Sequence, residues 1–384
     1  MNQMTDLAAV HVEIARARGL PNAHYIDPAV FEEEKQSVLF SSWAGIGFGK
    51  DVPAAGDAKP VDFLGVPLLI VRDRTGAINV FQNTCRHRGM ILVEGPTKLR
   101  GLIRCPYHSW CYALDGSLRA TPHIGGPGQN THEDVDATEL GLIRVPSHIW
   151  MDVIFVNIRG NAAPFEEVHI DILKRWADFE QPIYHGGGDS SFQIQVSTNW
   201  KLAVENYCES YHLPCVHPEL NSYSRIEDHY NIEGFLGHSG QGSLVYQQLA
   251  DAQGNVLPDF SDLPEKWDKG AEYVSLYPNV LLGVQRDHTF AMILQPIAME
   301  ETVEHVALYY ARAPGDALEH NVLRTENARR WKKIFMEDVF VVEGMQRGRH
   351  GQLFDGGRFS PSMDGPTHDF HKWVATMVLA GRAA

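Results

Sequence analysis

The apolar positions along this chain change rhythm twice. At Asp27 and Pro28 an N-cap and a proline at the first helical position lead into a helical pattern that puts Phe31, Val38 and Leu39 on one face and should stop before Trp43. From there to about Asn157 the pattern shortens to β runs, VPLLIVRD, INVFQNT, GLIRC, SWCYALDGS and VIFVNI, parted by Gly, Pro and Asp. This predicts a small antiparallel β domain. Beyond Pro164 both periods occur: a helix over Trp200 to Ser210, strands in YVSLYPNVLLGV, TFAMILQPI and EHVALYYA, and a long helix from about Leu323 to Met345. An antiparallel sheet flanked by helices is the simplest packing of those elements, so the expected class is α+β. The expected division is a helical segment over 1–43 that packs with the second domain, a β domain over 44–158 and a second domain over 159–384.

Composition narrows the setting. With 384 residues, 44% of them hydrophobic, the chain is long enough for two cores. Its 33 Lys and Arg against 48 Asp and Glu leave a net charge of −15, which disfavours non-specific binding to nucleic acid or to anionic membrane surfaces. The N-terminal MNQMTDLAAVHVEIARARG lacks the basic start and apolar middle of a secretory signal, and no later run is apolar enough to span a bilayer, so a cytoplasmic location is expected. The five cysteines, bunched among histidines, suit metal ligation in a reducing compartment better than a disulfide framework.

Two constellations carry the chemistry. Cys85 and His87 form C-x-H, and after 17 intervening residues Cys105 and His108 form C-x-x-H. Two thiolates and two imidazoles can close a tetrahedral zinc site, or hold a 2Fe-2S cluster with cysteines on one iron and histidines on the other. Zinc sites usually pair like with like, whereas here each loop gives one ligand of each type, which favours the cluster. The stretches CRHRG (85–89) and CPYHSW (105–110), with Pro106 and a turn at Gly89, resemble the cluster-binding loops of Rieske iron-sulfur proteins. Respiratory Rieske proteins add a cysteine to each loop; Met90 and Tyr107 stand here instead, so the resemblance is to the ferredoxin and oxygenase types. Cys111 is then expected to be a small buried bystander.

The second constellation is NWKLAVENYCESYHLPCVHPEL, residues 199–220. On a helix Glu209 and His212 would share a face while His217 pointed elsewhere, but Pro214 breaks the helix between the histidines and allows both to converge on one ion. Two histidines and one carboxylate with open positions form the pattern of non-haem Fe(II) enzymes that activate oxygen. Taken singly, these residues read as ordinary helix-surface and core side chains. Beside the Rieske loops, they make the chain similar to the terminal (alpha) subunits of Rieske non-haem iron oxygenases, over nearly its full length from YIDPAVFEEE onward.

That resemblance implies roles. His212, His217 and Asp338, the last in FMEDVFVVEGMQRG with Glu337 as the adjacent alternative, would hold a mononuclear Fe(II). Cys85, His87, Cys105 and His108 would hold the 2Fe-2S cluster. Glu209 would bridge His212 and the neighbouring subunit's His108 within a homotrimer, and Asn206 would sit near the iron. Electrons would come from a NAD(P)H-dependent reductase, directly or through a ferredoxin, and the other reactants would be O2 and a small organic molecule.

A Glu at the bridging position, together with GRFSPSMDGPTHDFHKW (357–373), looks like the branch that oxidises carnitine and glycine betaine. The ring-hydroxylating dioxygenases of aromatics usually have Asp there. One departure stands out: that branch commonly places a Cys on each side of the Tyr-His pair, where this chain has Ser210 and Leu213. The expectation is hydroxylation beside a quaternary nitrogen, with oxidative demethylation or C–N cleavage, and aromatic ring hydroxylation is the alternative. A Rieske electron carrier without oxygenase activity is the alternative of another class, but it would have no use for His212, His217 and Asp338.

Overall fold

The computed structural model describes residues 7–234 and 237–383; residues 1–6 of the expected N-terminal segment lie outside them. Two compact units form, Gly45–Asn161 and Met1–Ala44 with Ala162–Ala384.

The first unit is all β. Strand β1 (Ala44–Phe48) begins a three-stranded sheet with β9 (Ser147–Trp150) and β10 (Val153–Val156), in the order β1-β10-β9. The second sheet has β2 (Asp57–Phe63), β3 (Val66–Arg72), β4 (Ile78–Gln82) and β5 (Thr97–Lys98), in the order β4-β3-β2-β5. The third is β6 (Leu102–Arg104), β7 (Cys111–Ala113) and β8 (Leu118–Ala120). Leu69, Val71, Phe81, Ile103, Trp110 and Tyr112 pack into one apolar core that also contains the Cys85 and Cys105 side chains. Burying these apolar surfaces is the main favourable term for so small a module.

The second unit is built on an eight-stranded antiparallel sheet. Its strands are β11 (Tyr184–His185), β12 (Ser191–Val196), β13 (His229–Ile232), β14 (His238–Ser243), β15 (Ala271–Leu276), β16 (Val280–Gln285), β17 (His288–Ala298) and β18 (Glu301–Tyr310). The order is β11-β18-β17-β16-β15-β14-β13, with β12 also on β18. Helix α1 (Pro28–Glu34) starts where the sequence predicts, with the Asp27 carboxylate accepting from Ala29 N at 2.8 Å, and continues as a π turn over Lys35–Leu39. Helix α2 (Trp200–Tyr207) ends three residues earlier than predicted, and two short helices follow, α3 (Leu213–Val216) and α4 (Pro218–Asn221). The long helix α5 (Leu318–Arg349) extends past its predicted limits at both ends. A last helix, α6 (Gly365–Ala383), has no counterpart in the predicted elements. Among the described residues, no helix is long and apolar enough to cross a membrane.

Candidate metal centres

In the β unit, two loops repeat one backbone turn. Cys85 N donates to Met90 O and Gly89 N to Cys85 O, at 2.8 and 3.0 Å; Cys105 N donates to Trp110 O and Ser109 N to Cys105 O, at 2.8 and 3.1 Å. The fifth residue of each turn is left-handed, Gly89 at φ 73° and Ser109 at φ 59°. Glycine adopts this conformation freely, whereas serine does so at a cost. The turns bury the two thiols and bring the imidazoles together at the surface, with His87 Nδ1 and His108 Nδ1 only 3.1 Å apart. His87 is further fixed by stacking on Trp110 at 4.9 Å.

The Tyr112 hydroxyl accepts from Arg86 N at 3.0 Å, which leaves its proton free to donate to Cys85 Sγ at 3.2 Å. Two buried thiols, two convergent nitrogens and a hydrogen bond aimed at sulfur fit a 2Fe-2S cluster with two cysteine and two histidine ligands. Cys111 is buried outside this set, with its Sγ on Ser109 O at 3.2 Å.

In the second unit, His212, His217 and Asp338 bring one ligand atom each to within 4.8 Å of one another. His212 Nε2 and His217 Nε2 lie 3.6 and 3.0 Å from Asp338 Oδ1, and that oxygen is buried with no hydrogen-bond partner of acceptable geometry. An orphaned carboxylate oxygen between two imidazole nitrogens fits a divalent cation.

The expectation that Glu209 and His212 share a helix face does not hold, because α2 has already ended. The Glu209 carboxylate instead turns back to accept from Tyr211 N and His212 N, and this local alternative to helical bonding replaces the next turn. Its other oxygen accepts from His212 Nδ1 at 2.7 Å. His217 ends α3 and begins α4, directly before Pro218. Its Nδ1 meets Glu337 at 2.9 Å, so Glu337 holds the ring and Asp338 faces the site. Each histidine thus has a carboxylate on Nδ1, which directs Nε2 inward. Burial alone would depress His217, but Asp338 and then Glu337 outweigh it and raise its pKa. On β18, burial followed by the charge of Asp338 pushes the Glu304 carboxyl up to about 8.

The three residues open onto a cavity that Asn206, Tyr207, Tyr273, Trp331 and Phe335 also line. Asn206 is buried here, not on a helix surface. The indole N–H of Trp331 donates to His288 Nε2 at 2.7 Å, while His288 Nδ1 meets Asp287 at 2.8 Å, which locks this wall. Sequence reasoning named no aromatic wall residue. A signal was nonetheless present, since Trp331, Phe335 and Asp338 stand at i, i+4 and i+7 of one helix.

A Rieske module followed by a sheet-and-helix unit with a site of two histidines and one carboxylate defines the architecture of a Rieske-type oxygenase. The Ring hydroxylating alpha subunit (catalytic domain) family matches residues 173–380, and the Rieske [2Fe-2S] domain family matches residues 42–135. The first match covers more than half of the chain, which therefore belongs to the ring hydroxylating alpha subunits; the two domains imply one 2Fe-2S cluster and one mononuclear iron per subunit.

Two curated relatives and two solved structures place the chain further. It is 24% identical over 350 residues to the carnitine monooxygenase oxygenase subunit of Acinetobacter pittii, covering 88% of this chain and 86% of that one. To the chloroplastic choline monooxygenase of Arabidopsis thaliana it is 25% identical over 377 residues, covering 94% and 83%. In fold it is similar to the quaternary ammonium Rieske monooxygenase CntA, with a TM-score of 0.76, 21% identity and coverage of 97% and 98%. It is also similar to naphthalene 1,2-dioxygenase from Rhodococcus sp., with a TM-score of 0.78, 17% identity and coverage of 98% of each chain.

Proposed function

We propose that this chain is the terminal oxygenase of a system that hydroxylates a carbon beside a quaternary ammonium nitrogen, with electrons from a NAD(P)H-dependent reductase, directly or through a ferredoxin. The observation that carries the reading is the convergence of His212, His217 and Asp338 on an aromatic-walled cavity, in a chain that also has the Rieske loops. The curated relatives that act on carnitine and choline support the choice of substrate.

In this reading the 2Fe-2S cluster, held by Cys85, His87, Cys105 and His108, supplies single electrons, and Fe(II), held by His212, His217 and Asp338, supplies oxygen activation. Glu209 keeps His212 in its Nδ1–H tautomer and has acceptor capacity left for a second imidazole, that of the neighbouring subunit's His108 in a homotrimer. Glu337 does the same for His217. Tyr207, Tyr273, Trp331 and Phe335 exclude water and offer ring faces to a methylated cation, at about 0.5–2 kcal/mol per contact. Asn206 is placed to donate to a bound molecule or water. In the balanced reaction, one oxygen atom enters a C–H bond and the other leaves as water, with two electrons and two protons supplied. The resulting carbinolamine collapses to an aldehyde and a smaller amine. Free cysteines throughout the chain suit a cytoplasmic setting.

Oxygen uptake with a reductase across betaines, carnitine, choline and aromatic acids tests the reading. Aldehyde released in step with a tertiary amine supports it; a cis-diol from an aromatic overturns it.

A further inference from the structure

A second, smaller recess adjoins the metal-side cavity, and Leu220, Ser224, Tyr273, Trp331 and Ile334 line both. Its lining is mostly neutral. His288 is committed at both nitrogens, to Asp287 and Trp331, while Ser224, Tyr246 and Asn327 already bond to protein groups. Arg330 is the exception. Its Nε donates to Tyr223 OH at 3.1 Å and its guanidinium lies over that ring at 4.8 Å, and among the described residues no carboxylate pairs with it. Glu219 feels its charge but is paired with Lys333. Arg330 therefore lines the recess with guanidinium N–H donors to spare, and the Tyr223 hydroxyl, an acceptor from Arg330, has its own proton free beside them. On α5, Arg330, Ile334 and Asp338 follow at four-residue steps, so roughly 12 Å of helix separates this cation from the metal-ligand carboxylate.

We infer that Arg330, with Tyr223, is an anion subsite of the substrate cavity, and that the substrate is a zwitterion whose methylated ammonium lies between the aromatic walls near Asp338 while its carboxylate reaches Arg330. The inference rests on the reading of this cavity as the substrate site. A cation with no acid group, such as choline, would meet Arg330 as a like charge, and a neutral arene would leave the guanidinium without a counter-ion. A carboxylate satisfies it with charge-assisted hydrogen bonds.

The test pairs zwitterions with cationic counterparts that lack the free carboxylate: glycine betaine against choline, and γ-butyrobetaine against its methyl ester. KM is read from turnover, and affinity from calorimetry on the as-isolated protein without oxygen. The acids should bind roughly 10- to 100-fold tighter than their partners. Arg330→Met should erase that preference and Arg330→Lys should restore part of it, with the cluster's visible spectrum and the melting temperature kept as evidence of folding. An acid preference that survives Arg330→Met, or a wild-type protein that favours choline and the ester, overturns the subsite and leaves methylamine oxidation standing. If no methylated amine is oxidised and an aromatic is, the function proposed above has failed. The subsite is then judged by whether aromatic carboxylates outbind the matching amides and lose that advantage in Arg330→Met.

Discussion

Tyr112 spends one hydroxyl on two tasks, accepting from Arg86 N and donating to Cys85 Sγ. A hydrogen bond to a ligand sulfur stabilises the more electron-rich cluster. Tyr112→Phe should therefore lower the reduction potential in a redox titration of the visible spectrum, and an unchanged or raised potential would refute this role. At the mononuclear site, Glu337→Gln removes the charged acceptor from His217 Nδ1. Iron affinity should fall roughly 10- to 100-fold in dialysis against a chelator, while the sulfide content stays constant. The family resemblance points to Asp338 as the ligand, with the adjacent Glu337 as the alternative. A helix turns about 100° per residue, so two adjacent acids cannot both face one ion, and only the packed structure shows which one does. Glu209→Gln should leave both metals bound and slow electron transfer in single-turnover reoxidation; turnover at the wild-type rate would remove its bridging role.

Elements differ in how much of themselves they display in sequence. The two cluster loops were legible because cysteine and histidine mark them, yet the left-handed residue at Ser109 was not, since serine seldom adopts that conformation. Gly89→Ala adds a Cβ into open space, so its cost is conformational and about 1–2 kcal/mol, whereas Ser109→Gly should be close to neutral; thermal melting of the cluster absorbance compares them. Helix α6 was missed because the first turns of its buried face mix the polar Thr367, His368, Asp369 and His371 with the apolar Phe370, Val374, Ala375 and Val378, which blurs the helical period. His368 and His371 sit in the interior by bonding Val10 O and Leu20 N, partners far away in the chain that no local periodicity reveals.

Helix α2 hides a similar device, with Lys201 buried against Glu34 at 2.5 Å and Glu34 also bonded to His24 at 2.7 Å. Burial alone would raise the Glu34 carboxyl, but Lys201 and then His24 outweigh it and hold the carboxyl below its ordinary 4.5. A depressed carboxyl contributes stability that is present above its unfolded pKa and lost as pH falls through the folded one. Stability measured by denaturant should thus decline at acid pH below about 4.5, and less steeply in Glu34→Gln. At neutral pH that variant should lose about 3–5 kcal/mol, because it leaves Lys201 charged and unpaired.

For the whole molecule, the simplest discriminating number is the iron count. A cluster and a mononuclear ion require three irons and two sulfides per 43.0 kDa chain, and His212→Ala or Asp338→Ala should bring iron to two without loss of sulfide. Zinc without sulfide would contradict both centres. Architecture was legible at this scale because strand alternation and turn residues are local signals. The cavity was not, because its walls come from α2, the β15 strand and α5, which meet only once the sheet has folded.

That one long helix carries the metal ligand, the aromatic wall and the unpaired arginine has an evolutionary consequence. Substitutions two turns before Asp338 can change which molecules are admitted without disturbing the chemistry. A one-residue insertion between those positions would rotate them out of step and lose both together. Lineages of this enzyme should therefore diversify in diet by point mutation along the helix, and hardly ever by changing its length.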